Sequence, residues 1–166
     1  TENSLPKVKD FPAGSPFTYL FTLDSSRFFR AAGDVLLPQG EFADVRALRG
    51  SDRFPREMMF AILTGKHLSD WYRDNRFCGR CGRPMEKSKI ERAMVCPACS
   101  NTVYPKICPA VIVAIHDGDR LVLTRYKDRP FKHYALVAGF NEIGESIEET
   151  VHREVLEETG LRVKNL

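Results

Sequence analysis

The chain has 166 residues, 43% hydrophobic and 28% charged, with 25 Lys or Arg against 22 Asp or Glu and a formal charge of +3. That is the make-up of a globular protein of one or two domains, and it excludes a chain dominated by disorder. The charge is too small to predict a nucleic-acid partner unless basic residues gather on one face. No apolar run nears the roughly 20 residues that cross a bilayer, and the N-terminus lacks the basic, apolar, small-residue order of a secretion signal. A cytoplasmic protein with no membrane partner is expected.

Up to Asn75 the sequence reads as a small mixed α/β module (1–75). Apolar runs at Phe17 to Phe21 and Phe28 to Ala32 are separated by turn residues. Arg56 to Arg76 has helical spacing, with Met58, Met59, Ala61, Ile62, Leu68 and Trp71 among charges, and Gly65 is expected to divide it in two. No reactive cluster occurs in this module.

Residues 76–104 change character: they are rich in Cys, Arg and Lys and poor in large apolar side chains. Cys78-Gly-Arg-Cys81 and Cys96-Pro-Ala-Cys99 are two Cys-x-x-Cys knuckles with 14 residues between them. Two knuckles at this spacing favour one tetrahedral Zn²⁺ over a redox pair, which needs a single motif beside a thioredoxin-like βαβ pattern. Four sulfur ligands leave no place for water, so this one zinc is expected to be structural. Such sites bind with about 10–16 kcal/mol, enough to fold a segment that buries little core of its own. Gly79 and Gly82 ease the turns. The surrounding Arg76, Arg80, Arg83, Lys87, Lys89 and Arg92 are either a solvated basic surface or a contact for nucleic-acid phosphates. The fifth cysteine, Cys108, reads as a small buried apolar residue.

Beyond Pro109 the pattern is strand, turn, strand: Ala110 to Ile115 and Leu121 to Tyr126 flank Asp117-Gly118, and a third strand is expected over Tyr134 to Ala138. Ser146 and Glu149 form a capping box, Gly160 is a stop, and the 13 residues between read as one helix with an apolar stripe of Ile147, Val151 and Val155. On a neighbouring face Glu154, Glu157 and Glu158 stand at i, i+3 and i+4. Like charges at that spacing, at the helix end that disfavours anions, call for an offsetting cation. Arg153 can reach Glu145, but one arginine is not expected to neutralise the whole cluster. Mg²⁺ or Mn²⁺ suits such a face, because hard cations prefer carboxylate oxygen. A solvated acidic face is the alternative. Gly139 and Gly144 allow the close backbone approach or positive φ that a phosphate-handling loop needs.

The string from Gly139 to Leu161 resembles the Nudix box, Gly-x5-Glu-x7-Arg-Glu-apolar-x-Glu-Glu-x-Gly-apolar, at Gly139, Glu145, Arg153, Glu154, Val155, Glu157, Glu158, Gly160 and Leu161. With the ribbon ahead of it, Phe77-Cys-Gly-Arg-Cys-Gly82, Tyr104-Pro105 and Ala138-Gly-Phe140, the chain is similar to the NADH pyrophosphatase branch of the Nudix hydrolases. The resemblance implies an α+β architecture in which residues 105–166 contribute to a Nudix α/β/α sandwich. It implies metal binding by Glu154, Glu157 and Glu158 with the Ala138 carbonyl, and Glu157 or Glu158 as the base. It implies cleavage of NADH or NAD⁺ to AMP and a nicotinamide mononucleotide, with NAD-capped RNA as a further substrate and a homodimer as the assembly. Tyr104 and Phe140 would hold the nicotinamide ring, core packing being their other reading, and Arg49 matches a substrate-contacting arginine. Hydrolysis of another nucleoside diphosphate derivative such as ADP-ribose, or a non-catalytic zinc-ribbon module for RNA or a protein partner, are the competing functions. The family's later strands, second helix, Gln-Pro-Trp-Pro-Phe-Pro-like substrate motif and additional metal-binding glutamate are not found in these 166 residues, so the chain is expected to carry part of that machinery.

Overall fold

A computed structural model of the chain describes residues 4–33, 37, 40–128, 130 and 133–166. It forms two compact units, Thr1–Pro105 and Lys106–Leu166.

In the first unit, β1 (Phe17–Leu23) and β2 (Ser26–Ala31) pair antiparallel from Phe17 opposite Ala31 to Leu23 opposite Ser26. The two-residue turn places Asp24 at φ 50°, a left-handed conformation that Asp tolerates. A short helix α1 (Val45–Arg49) is capped by the Asp44 carboxylate, which accepts from the Arg46 N–H at 2.8 Å. Helix α2 (Arg56–Asp74) runs without interruption through Gly65. The expected division does not occur: glycine costs a helix about 1 kcal/mol but leaves the hydrogen-bond ladder intact. Leu20, Ala61 and Trp71 are buried in this unit, and the Arg30 Nε donates to the Ser69 hydroxyl at 3.0 Å, tying β2 to α2.

The ribbon is a three-stranded antiparallel sheet of β3 (Glu86–Lys87), β4 (Met94–Val95) and β5 (Thr102–Val103). It buries more than its composition suggests. Met85, Met94, Cys78 and Cys96 form one cluster with Trp71 of α2, so the ribbon borrows its core from the preceding helix.

In the second unit, β6 (Ala110–Val113) pairs antiparallel with β9 (Val137–Phe140), Val111 opposite Gly139 and Val113 opposite Val137. A separate small hairpin joins β7 (His116–Asp117) to β8 (Arg120–Leu121). The expected hairpin forms at its inner end, where the Val122 N–H donates to the Ile115 carbonyl at 2.9 Å, whereas Ala110 to Val113 pairs with β9 and not with the residues after Leu121. The turn is Gly118-Asp119, with Gly118 at φ 61°, and the third strand starts at Val137 and ends at Phe140. Pairing with the later strand wins because it turns Val111, Val113 and Val137 to one face, beneath helix α3 (Ile147–Thr159). Val137 and Val155 are fully buried there, each burial worth about 1.5–3 kcal/mol. Val151 joins them, whereas Ile147 is half-exposed and the stripe is completed by buried Thr150. The described residues of this unit supply one helical layer over a two-stranded sheet.

The continuity of α2 gives a prediction. A Cβ added at Gly65 would meet only Leu20 Cδ1, at an ordinary contact distance of 3.8 Å. Gly65→Ala is expected to raise the unfolding free energy by about 0.5–1 kcal/mol in urea denaturation; a destabilised variant would show that the helix needs a glycine there.

Candidate functional site

The two knuckles have the same backbone geometry. The Cys78 N–H donates to the Arg83 carbonyl and the Gly82 N–H to the Cys78 carbonyl, both at 2.8 Å; the Cys96 N–H donates to Asn101 and the Ser100 N–H to Cys96, both at 2.9 Å. Gly82 at φ 71° and Ser100 at φ 57° occupy matching left-handed positions, so the second turn uses serine where the first uses glycine. All four sulfurs lie within 4.8 Å of one another. Cys78 and Cys99 Sγ are 3.6 Å apart and Cys81 and Cys96 Sγ 3.5 Å apart. A tetrahedral site with Zn–S bonds of about 2.3 Å has sulfurs about 3.8 Å apart, so the donor set fits one Zn²⁺. Burial pushes the Cys78 thiol up, but N–H groups of Cys81 and Arg80 and the neighbouring thiols outweigh it and bring it down to about 6. Cys81, although its backbone bond to Arg83 favours the thiolate, is pushed up to about 12 by the sulfurs of Cys96 and Cys99 around it. Four crowded sulfurs share too few donors for all to be thiolates, which is the charge a dication supplies.

Three of the six basic residues near the ribbon are used inside the unit. The Lys87 Nζ donates to Thr18 Oγ1 at 2.5 Å and sits 5.4 Å from the Tyr72 ring centroid. Arg92 donates to the Leu20 carbonyl, and Arg76 lies over Phe77. Arg76 and Lys87 stay exposed while making these contacts, and Arg92 is partly buried. Tyr104 is 53% exposed and its hydroxyl donates to Glu91 Oε1 at 3.0 Å; Phe140 is 65% exposed. Neither is packed in a core. Arg49 ends α1 on the surface of the first unit.

The acidic helix begins as its sequence predicts. The Ser146 hydroxyl accepts from Glu149 N–H and the Glu149 carboxylate from Ser146 N–H, while Gly160 closes the helix at φ 72°. Arg153 dominates the body of the helix. Its Nε donates to Glu145 Oε1 at 2.5 Å and its Nη2 to Glu145 Oε2 at 3.0 Å and the Phe140 carbonyl at 2.9 Å. Its Nη1 reaches Glu154 Oε1 at 2.8 Å and Glu157 Oε2 at 3.3 Å. One arginine therefore serves more of the cluster than its position on the helical wheel suggests, because the guanidinium fork spans neighbouring faces. Glu158 is left out of these bonds and lines a groove with Ala138, Thr124, Arg125, Tyr126 and Leu136.

Glu154 and Glu157 meet at Arg153 Nη1, and Glu158 stands outside that contact. Among the described residues, the cysteine quartet is the only group of three or more metal-ligating side chains gathered within 4.8 Å. Glu154 is half-buried on Gly139, where a Cβ would displace its carboxylate, so glycine at that strand position leaves the carboxylate its place. Glu157 is exposed and held only by Arg153. Gly144 adopts φ 96° in the loop. Sequence reasoning missed Thr150 and Asn141: the fully buried Thr150 hydroxyl lies 2.9 Å from Glu145 Oε2 and accepts from Asn141 Nδ2 at 2.6 Å. A threonine inside an apolar stripe was the available signal. Cys108 is exposed, beside Phe140 and Ile143, and not buried as expected, because it precedes β6 and lies outside the core.

Residues 73–104 match the NADH pyrophosphatase zinc ribbon domain, and residues 106–166 match the NUDIX domain. These two segments are therefore similar to a zinc ribbon of the NADH pyrophosphatase type followed by a NUDIX domain. It is 46% identical over 102 residues to the NAD-capped RNA hydrolase NudC of Salmonella typhi, a match over 61% of this chain and 40% of the relative. With the protein of the same name from Pasteurella multocida it shares 39% over 122 residues, 72% of this chain and 46% of the relative. The aligned part thus spans less than half of these curated relatives. A solved NUDIX hydrolase from Nitrosomonas europaea aligns with 54% of this chain and 53% of its own, at 26% identity and a TM-score of 0.46. The family ribbon holds a structural Zn²⁺, and the Nudix segment implies a divalent metal.

The ribbon and the arginine clamp each give a prediction. Trp71, the single tryptophan, is 5% exposed and packs in one cluster with Cys78 and Cys96. Removing zinc with a chelator is expected to red-shift its fluorescence, and Cys81→Ser to reproduce the shift without chelator; an unchanged spectrum would separate α2 from the metal. The second concerns Glu145. Hydrogen bonds from Arg153, then the Glu142 N–H, hold its carboxyl down at about 2 against an ordinary 4.5. A depressed carboxyl stabilises the fold fully above about 4.5 and loses that contribution as pH falls through about 2. The stability gap between wild type and Glu145→Gln in urea is therefore expected to be constant above about pH 5 and to shrink steadily below it. A gap independent of pH would contradict the assignment.

Proposed function

We propose that the whole protein carrying this chain hydrolyses the diphosphate bond of NADH or NAD⁺ to AMP and the corresponding nicotinamide mononucleotide, and removes NAD caps from RNA. The observation that carries this reading is the seating of Glu154 on Gly139 under the Arg153 clamp, in a chain whose ribbon and Nudix segment match those of proteins named as NAD-capped RNA hydrolases. In the same reading the chain divides into an N-terminal module (1–75), the ribbon (76–104) and the Nudix segment (105–166), the protein is a cytoplasmic homodimer, and the metal is Mg²⁺ or Mn²⁺. Among the described residues no helix is long and apolar enough to cross a membrane.

The carboxylates of Glu154, Glu157 and Glu158 and the carbonyl of Ala138 are all hard oxygen donors, so their chemistry fits a divalent cation. Bound there, it neutralises phosphoryl charge and lowers the pKa of the attacking water. The chain's own residues do the rest. Arg153 fixes Glu154 and Glu145 so that the loop from Phe140 to Ser146 is held against the helix. Glu157 and Glu158, both exposed, are the two groups able to take the proton of the water. Phe140 offers an exposed ring to the nicotinamide, where offset stacking adds about 0.5–1.5 kcal/mol.

The test is product analysis with the whole protein, NADH and Mg²⁺ or Mn²⁺. AMP and reduced nicotinamide mononucleotide are expected, with turnover reduced about 10²–10⁴-fold in Glu158→Gln. Failure of the wild type to release AMP, or a Glu158→Gln protein as fast as wild type, would overturn the proposal.

A further inference from the structure

Cleavage of a diphosphate poses a charge problem that the box alone does not solve. The substrate brings anionic phosphates to a helix face that is itself acidic. The arginine nearest those glutamates is not available to it: the five N–H donors of Arg153 meet five acceptors, two on Glu145 and one each on Glu154, Glu157 and the Phe140 carbonyl. A phosphate could recruit Arg153 only by dismantling the clamp that positions Glu154.

The groove that Glu158 and Ala138 line contains one other cation among the described residues, Arg125. Its place is set by backbone pairing. Thr124 and Ala135 exchange both bridge hydrogen bonds, N–H to carbonyl at 2.8 and 2.9 Å, which holds the segment carrying Arg125 alongside Leu136 and Ala138. The guanidinium carbon lies 6.0 Å from the centroid of the Tyr134 ring, so an aromatic face restrains it without consuming an N–H donor. Arg125 is exposed and makes no ion pair with the described carboxylates. A restrained guanidinium with open donors, in one groove with an acidic residue and a backbone carbonyl of the Nudix segment, has the planar fork that phosphate oxygens accept bidentately.

We propose that Arg125 binds a phosphate of the diphosphate directly, as the substrate-positioning cation of this groove, while Arg153 serves the protein alone. The inference rests on the Nudix segment acting on a nucleoside diphosphate derivative. Its consequence is a division between two arginines of one unit: one saturated and structural, the other open and facing substrate.

Binding and turnover test it separately. Methylenediphosphonate, a diphosphate that cannot be hydrolysed, is titrated calorimetrically into the whole protein with Mg²⁺ present, for wild type, Arg125→Ala and Arg125→Lys. Arg125→Ala is expected to weaken binding about 10- to 100-fold, and Arg125→Lys, which keeps the charge but loses the fork, to fall between Ala and wild type. Steady-state hydrolysis of NADH should show the Ala variant's loss in KM, with kcat within about a factor of three of wild type. Thermal unfolding of the variants at the wild-type temperature excludes a folding defect as the cause. Equal affinity of Arg125→Ala and wild type for methylenediphosphonate, absence of binding by wild type, or a loss confined to kcat would overturn the assignment. A protein that binds the diphosphate through Arg125 yet releases no AMP from NADH would keep Arg125 and refute the reaction. One that cleaves NADH with Arg125→Ala unaltered would refute Arg125 alone.

Discussion

The second unit is organised around one guanidinium. Arg153 connects three pieces of chain: the end of β9 through the Phe140 carbonyl, the loop through Glu145, and the acidic face of α3 through Glu154 and Glu157. Each contact offsets a cost built into the sequence. Carboxylates at i, i+3 and i+4 repel, and the C-terminal half of a helix disfavours them further. A lysine has three donors and no fork, so it could not serve the same five acceptors. Charge compensation and loop geometry are thus the same set of hydrogen bonds. The Arg153 guanidinium is held charged by Glu145 first and Glu154 next, and the Glu145 carboxyl is held ionised in return.

The packing beneath that clamp explains why the acidic residues sit where they do. Val137 and Val155 are fully buried between strand and helix, and Thr150 fills the remaining place in the stripe with its hydroxyl directed to Glu145 and Asn141. Packing this close brings the helix onto β9, and a side chain at position 139 would push the Glu154 carboxylate from its place. The ribbon solves a similar problem with different means. It has little apolar surface, so it combines sulfur geometry with Met85 and Met94 against Trp71, and it reaches β1 through Lys87 and Arg92. Of the six side chains that look like a basic surface in the sequence, Lys87 and Arg92 are the ones that attach the ribbon to β1.

Local rules carry far where one signal acts alone. Ser146, Glu149 and Gly160 define α3 to the residue, because caps satisfy particular backbone groups and have few alternatives. The paired knuckles are equally legible, since four thiols at that spacing have one common use. The failures arise where two local solutions compete or where a long side chain decides. Asp117-Gly118 has hairpin chemistry, yet β6 pairs with β9, which supplies the buried face that a local hairpin could not. Gly65 reads as a breaker, but α2 packs against Leu20 at that position and absorbs the cost. Cys108 reads as buried by residue type, and its place just before β6 leaves it at the surface. The helical wheel understates the reach of Arg153 because it locates Cβ atoms, and a guanidinium acts several bonds beyond its Cβ.

The same distinction bears on whether the acidic helix is a scaffold or a working face. A scaffold needs its charges offset, and Arg153 does that only in part, one positive charge against the carboxylates of Glu145, Glu154 and Glu157. Glu158 has no part in those bonds and lines one groove with Ala138 and Arg125. Had neutralisation been the whole purpose, Arg125 and Glu158 would lower their energy by pairing, yet among the described residues they form no ion pair. Two opposite charges kept apart in one groove are each available to a third party that carries both signs, such as a divalent cation with an anionic diphosphate. The proposed hydrolysis of a metal-bound diphosphate would use both of these charges.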